Sequence, residues 1–170
     1  MQLKPYFENL YEYSFWANHR YFAVAEGLSE EQLHRMQGQS WGNVQAVLVH
    51  MLSSEWVWLQ RWHSVSPKGH LDQADFPTLA SVKERWSKQE SELRAYISSQ
   101  SEGGLQSMIT YSNFKGETFT VPLWQMLMHL ANHETHHRGE LAAMFALMDV
   151  PHPEEEVIQY FLNLTGQKKF

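Results

Sequence analysis

Between Val44 and Gln60 the chain carries a single charged residue, Glu55, and its apolar positions step by three and four. Val44, Val47, Leu48, Met51, Leu52, Trp58, Leu59 and Trp62 spread over one wide arc of a helical wheel, which predicts a helix from about Ser40, a good N-cap residue, to about Trp62. So broad an apolar surface must be covered on more than one side, and the rest of the chain supplies the cover. Leu10, Tyr13, Ala17, Tyr21, Val24 and Leu28 mark an earlier amphipathic helix from Pro5 to about Leu28, with Gly27 near its end. Ser29 and Gln32 have the spacing of a capping box and predict a short helical turn. Thr78 caps a third long helix with the stripe Leu79, Val82, Trp86, Leu93 and Ile97, and Gly103-Gly104 is read as lying just past its end. Met108–Tyr111 and Glu117–Val121 read as a small hairpin around Asn113–Gly116. Pro122 suits the first turn of a fourth long helix that runs to Met148 and is stopped by Pro151 and Pro153, and a short helix follows from Glu154 to Leu164. Ser64–Pro77 lacks helical periodicity and reads as a loop. The expectation is an all-α four-helix bundle, one domain over residues 1–170, with a small hairpin or irregular insertion before the last long helix. Connection lengths leave the winding order open.

Composition narrows what such a bundle can do. At 170 residues and 43% hydrophobic content the chain is long enough to bury about 70% of its unfolded surface. Thirteen basic against nineteen acidic residues give a net charge of -6, and no basic run interrupts that balance, so a nucleic-acid partner is not expected. No stretch of 18 apolar residues occurs and the amino terminus has no signal-peptide core, which points to a cytoplasmic protein without a membrane partner. Cysteine is absent, so thiolate ligands, disulfides and a cysteine nucleophile are excluded, and any thiol chemistry must use an exogenous thiol.

Ten histidines stand out, four of them (His129, His133, His136, His137) within one nine-residue window of the fourth helix. At 100° per residue, Leu123, Met126, Leu127, Leu130, Leu141, Met144, Phe145 and Met148 fall within an arc of roughly 100°. His137 and Glu134 lie inside that arc, His133 at its edge, and His129 and His136 off to one side. The i, i+4 spacing lets His133 and His137 reach one ion. Two imidazoles and a carboxylate on one buried stripe would each cost about 1–3 kcal/mol if unsatisfied, and a bound cation removes that cost. A third ligand must come from another helix. His50 sits at the edge of the second helix's apolar arc and Glu55 squarely on it, and the wheel leaves both open.

The string Asn132-His133-Glu134-Thr135-His136-His137-Arg138-Gly139-Glu140-Leu141, preceded by His129, resembles the carboxy-terminal helix motif of the DinB-like superfamily. The stretch His50-Met51-Leu52-Ser53-Ser54-Glu55-Trp56 is similar to that family's second-helix histidine segment, and the first helix with Trp16-Ala17-Asn18 also matches. The resemblance implies a four-helix bundle, often a homodimer, with a divalent metal held by His50, His133 and His137. Some relatives are transferases or isomerases that use bacillithiol, mycothiol or glutathione.

Three neutral imidazoles leave an ion its full charge and an open position, which lowers the pKa of a bound thiol or water. The expected function is therefore a metal-dependent transferase acting with a low-molecular-weight thiol on small electrophiles, with zinc favoured and nickel next. Glu134 is the candidate general base or partner to an imidazole, and Arg138 and His136 are candidates to hold an anionic substrate or cofactor. Two alternatives stand beside this: a nonenzymatic metal-binding stress-response module, and a zinc-dependent hydrolase or peptidase using the spelling His133-Glu134-Thr135-His136-His137. The metzincin extension fails at Glu140 and Ala143, and a distal ligand among Glu154–Glu156 would lie beyond the proline break.

Overall fold

A computed structural model describes residues 2–38 and 41–167. Four long helices dominate: α1 (Leu3–Glu26), α3 (Val44–Trp62), α4 (Leu79–Ser99) and α6 (Leu123–Ala146). Short helices α2 (Glu30–His34), α5 (Glu102–Leu105) and α7 (Val157–Leu164) and the antiparallel hairpin β1 (Met108–Ser112) with β2 (Thr118–Pro122) complete the chain.

Several ends differ from the sequence reading. The cap expected at Ser40 lies outside the described residues. Helix α3 begins at Val44, and Asn43 caps it by accepting a hydrogen bond from the Ala46 N–H at 2.9 Å. Gly42, at φ 86°, makes that entry, and a Cβ there would stand 2.6 Å from the Met36 side chain. The capping box of α2 forms as its spacing requires, Ser29 and Gln32 each accepting from the other's backbone N–H. Gly103 and Gly104 lie inside α5, whose first turn is capped by Ser101. Pro122 is the N-cap of α6 and the last residue of β2, so the strand leads straight into the helix. Acidic Glu154–Glu156 precede α7, which starts at Val157 and not at Glu154, and the predicted loop 64–77 contains one 3-10 turn at Gln73–Asp75.

Helix directions follow from the contacts. Tyr11 of α1 donates to the Leu127 carbonyl of α6, Asn18 donates to Glu134, and Tyr21 stacks on Phe145, so α1 and α6 run parallel. Trp86 of α4 donates to Glu55 of α3 and Tyr96 donates to the Trp62 carbonyl, so α3 and α4 are parallel too. Lys4 meets Ser98, Glu12 meets Arg94 and Glu26 meets Lys83, which sets α1 antiparallel to α4. The bundle is thus wound up, down, down, up, with α1 and α3 on one diagonal and α4 and α6 on the other. Because α3 and α4 are parallel neighbours, residues 63–78 must return the whole length of the bundle, and they do so over the outer face of α3, where the Leu71 N–H donates to Ser53 Oγ at 2.9 Å.

Among the described residues two large apolar clusters are separated by a polar layer, and a third, small one of Tyr13, Ala17 and Tyr160 packs α7 on α1. One large cluster gathers Tyr21, Phe22, Val47, Leu48, Trp86 and Phe145, and the other Phe7, Tyr11, Leu59, Leu93 and Leu127. Between them lie Ser14, Asn18, His50, Glu55, Gln89, Glu134, His137 and Arg138, all buried. Eight polar side chains at one level of a bundle core are costly unless they satisfy one another.

Candidate metal centre

Helix α3 contributes His50 and Ser54, one turn apart, and α6 contributes His133 and His137 with the same spacing. Antiparallel packing of the two helices brings these stripes face to face. His50 Nε2 stands 3.1 Å from His133 Nε2, and His133 Nε2 stands 3.2 Å from His137 Nε2. Ser54 Oγ completes the cluster at 3.4 Å from His50 Nε2 and 3.5 Å from His133 Nε2. Two nitrogens bound at ~2.0–2.1 Å to a tetrahedral ion are about 3.3 Å apart, so these two spacings are ones that a shared ion would accept, and the three residues could hold a metal ion. The donor chemistry agrees. Burial first, then the neighbouring imidazoles, lower His50 to about 3, and burial also lowers His137 against the opposing pull of Glu140, so both are neutral and offer lone pairs.

Of the opposite ring edges, that of His137 is tied by a hydrogen bond, while His50 Nδ1 and His133 Nδ1 are buried without one. His137 Nδ1 lies 2.8 Å from Glu140 Oε2, a contact that holds the Nδ1–H tautomer and leaves Nε2 for a ligand. His133 Nδ1 faces Glu134 Oε1 at 3.6 Å. Trp41 stacks on the His50 ring at 3.9 Å between centroids and 16° between planes. A second grouping of His136, His137 and Glu140 shares His137, but His136 is exposed and lies beside the buried cluster.

Glu134 and Glu55 sit behind the imidazoles. Asn18 Nδ2 donates to Glu134 Oε2 at 3.2 Å and reaches Glu55 Oε1 at 3.5 Å, and Trp86 Nε1 donates to Glu55 Oε1 at 3.2 Å. Burial, then the adjacent Glu134, hold the Glu55 carboxyl well above its ordinary range. Glu55 therefore competes with His50 only on the wheel: in three dimensions it belongs to the polar layer and not to the imidazole cluster. Arg138 is also turned away from the cluster. It is fully buried, with Nη1 donating to Asn18 Oδ1 at 2.9 Å and Ser14 Oγ at 3.1 Å, Nη2 donating to Thr135 Oγ1 at 2.9 Å, and Nε donating to Glu155. Nη1 ties α6 to α1 and Nε ties it to the segment before α7, while Nη2 is held by Thr135 within α6 itself. The same pairing directs Glu155, the middle of the acidic trio, to Arg138.

The mouth of the site combines loop residues that the wheel could not reach with Trp58, which it places on the arc of α3. His70, on the returning 63–78 segment, contacts Ser53 Oγ through Nδ1 at 2.9 Å and packs edge-on to His50. Trp58, one turn beyond Ser54, packs on His129 at 4.7 Å. Ser54 and Trp58 follow His50 at i+4 and i+8, a stripe visible in the sequence once His50 is chosen. Trp41 and His70 lie on loops and carry no periodic signal.

The DinB family model matches residues 1–160. Protein DinB of Bacillus subtilis (strain 168) is 25% identical over 145 residues, covering 79% of this chain and 81% of its own length. The crystal structure of a DinB-like protein from Bacillus cereus ATCC 10987 superposes with a TM-score of 0.63 at 18% identity, over 82% of this chain and 91% of that one, and so shares the fold.

Proposed function

The chain belongs to the DinB family, and on that premise we propose that it is a divalent-metal-binding protein whose His50, His133 and His137 hold one ion, and that it transfers a low-molecular-weight thiol to a small electrophile. Convergence of three Nε2 atoms at ligand spacing supports the metal reading. Zinc is the preferred ion and nickel the next, since imidazole suits both. Such an ion, with three neutral ligands and an open position, would lower the pKa of a thiol brought to it.

The protein's own residues prepare that position. Glu140 holds the His137 ring by its Nδ1 edge and Trp41 holds the His50 ring by its face. Glu134 lies behind His133, its Oε1 3.6 Å from Nδ1, where it would act as a positioning residue, and Arg138 acts one layer further in by clamping Asn18, the common partner of both buried carboxylates. His136, exposed beside His137, stands at the rim where an anionic part of a cosubstrate can approach. The absence of cysteine keeps the chain from competing for its own site. No observation favours a peptidase, because the Glu134 carboxylate is engaged with Asn18 behind the ring instead of facing the Nε2 atoms. A cytoplasmic homodimer is the assembly we propose for this reading.

The test is elemental analysis of untagged protein purified without a metal column. The wild type is expected to carry about one equivalent of metal, His50→Ala and His137→Ala to lose it, and Glu55→Ala to keep it. Loaded protein should then consume a thiol only when a small electrophile is present. Stoichiometric metal with no turnover across thiols and electrophiles would leave the nonenzymatic module, and no uptake of metal by the wild type would end the metal reading.

A further inference from the structure

Arg61 is a second buried cation on the site's side of α3, and the mechanism above does not use it. Its residue is 6% exposed, its Nε is buried without a hydrogen-bond partner, and among the described residues no carboxylate lies within ion-pair distance. What surrounds it is aromatic. The guanidinium carbon lies 4.6 Å from the Trp58 ring centroid, 5.0 Å from that of Tyr111 and 5.3 Å from that of Phe114. Rings of this kind hold a guanidinium in place and leave its planar fork without an anion.

Two of those contacts lead back to the imidazole cluster. Phe114, at the tip of the hairpin, packs on His70 at 4.9 Å, and His70 packs on His50 at 5.2 Å. Trp58 packs on His129 at 4.7 Å, and His129 leads to His133 at 6.3 Å. Two chains of ring contacts therefore connect Arg61 to the imidazole cluster. No residue in them is acidic, although the protein as a whole has a net charge of -6, because Glu55, Glu134 and Glu140 all contact the rings from behind or lie deeper.

We propose that Arg61 is the anion-binding arm of this site and that its ligand is a small molecule bearing a carboxylate, paired with the guanidinium while the rest of the molecule lies toward the three imidazoles. The inference rests on the metal reading only for the direction in which the ligand extends. A guanidinium offers a carboxylate two parallel N–H donors, which is why the class is a carboxylate and not a neutral molecule. A carboxylate-bearing thiol satisfies both ends of the site.

Succinate is the probe, titrated calorimetrically into metal-free and zinc-loaded full-length protein, with zinc stoichiometry measured in parallel. Wild type is expected to bind succinate at least about 10-fold more tightly than Arg61→Met, which keeps the stacked stem and removes the fork, in both forms of the protein. Arg61→Lys should recover only part of the difference, and zinc stoichiometry should be the same in all three proteins. Equal affinity in wild type and Arg61→Met, or no binding to the wild type, would overturn the proposal while leaving the metal site standing. Arg61-dependent succinate binding in a protein that takes up no zinc would support the anion arm and refute the metal reading. Should Arg61→Met not fold by circular dichroism, the decision passes to Arg61→Lys: undiminished succinate affinity there would also overturn it.

Discussion

Asn18 is the residue on which the polar layer turns. Its amide reaches both buried carboxylates and its carbonyl oxygen accepts from Arg138, so one side chain from α1 satisfies groups on α3 and α6. Removing one partner of such a network leaves an uncompensated buried charge. Arg138→Met is therefore expected to destabilise the fold by about 3–5 kcal/mol, measured as a lowered urea midpoint with an unchanged slope. Glu55 responds in the other direction. Its folded carboxyl titrates above its unfolded one, so the unfolded state loses its proton first and stability declines as pH rises from about 4.5 toward the folded value. Glu55→Gln should match wild type near pH 4 and exceed it at pH 7. Denaturation curves at the two pH values check this, and a variant less stable at pH 7 would show that the carboxylate is needed ionised.

At the scale of elements, the entry to α3 determines where His50 points. Gly42 in a left-handed conformation turns the chain, Asn43 caps, and the first turn of α3 sets the register of His50 and Ser54. Asn43→Ala should cost about 1 kcal/mol, read from the shift in denaturant midpoint, because the Ala46 N–H loses its acceptor. The hairpin is the other placed element. The Ser112 N–H donates to Ser66 Oγ on the returning segment, and β2 ends where α6 begins, so the strands are tied at both edges of the site's mouth. These strands were legible from β-prone residues flanking Asn113–Gly116. Their place over Arg61 was not, because no spacing within the hairpin records what it packs against.

For the whole molecule, metal and fold are linked. An ion that bridges α3 and α6 binds only the folded chain, and at a free concentration 100 times Kd it adds about 2.7 kcal/mol to stability. For a chain of this length that corresponds to a rise in Tm of about 5–10 °C. Scanning calorimetry with and without zinc should show this rise in the wild type and not in His137→Ala. An equal rise in both would place the ion elsewhere. No helix among the described residues is long and apolar enough to cross a membrane.

The sequence by itself determined the four long helices and much of their inward faces. Periodicity marked the stripes Val82, Trp86, Leu93 and Ile97 on α4 and His137 and Glu134 on α6, all of which are buried, because a 3.6-residue repeat is a local property of the chain. Motif resemblance selected His50 where the wheel left it even with Glu55. Tertiary structure alone decided the rest: the up, down, down, up winding, the meeting of three Nε2 atoms, the enclosure of Arg138 and the ring around Arg61. Each of these depends on which helices become neighbours and in which direction, and that is set by the long-range packing of α3 between α4 and α6, which no interval along the chain encodes.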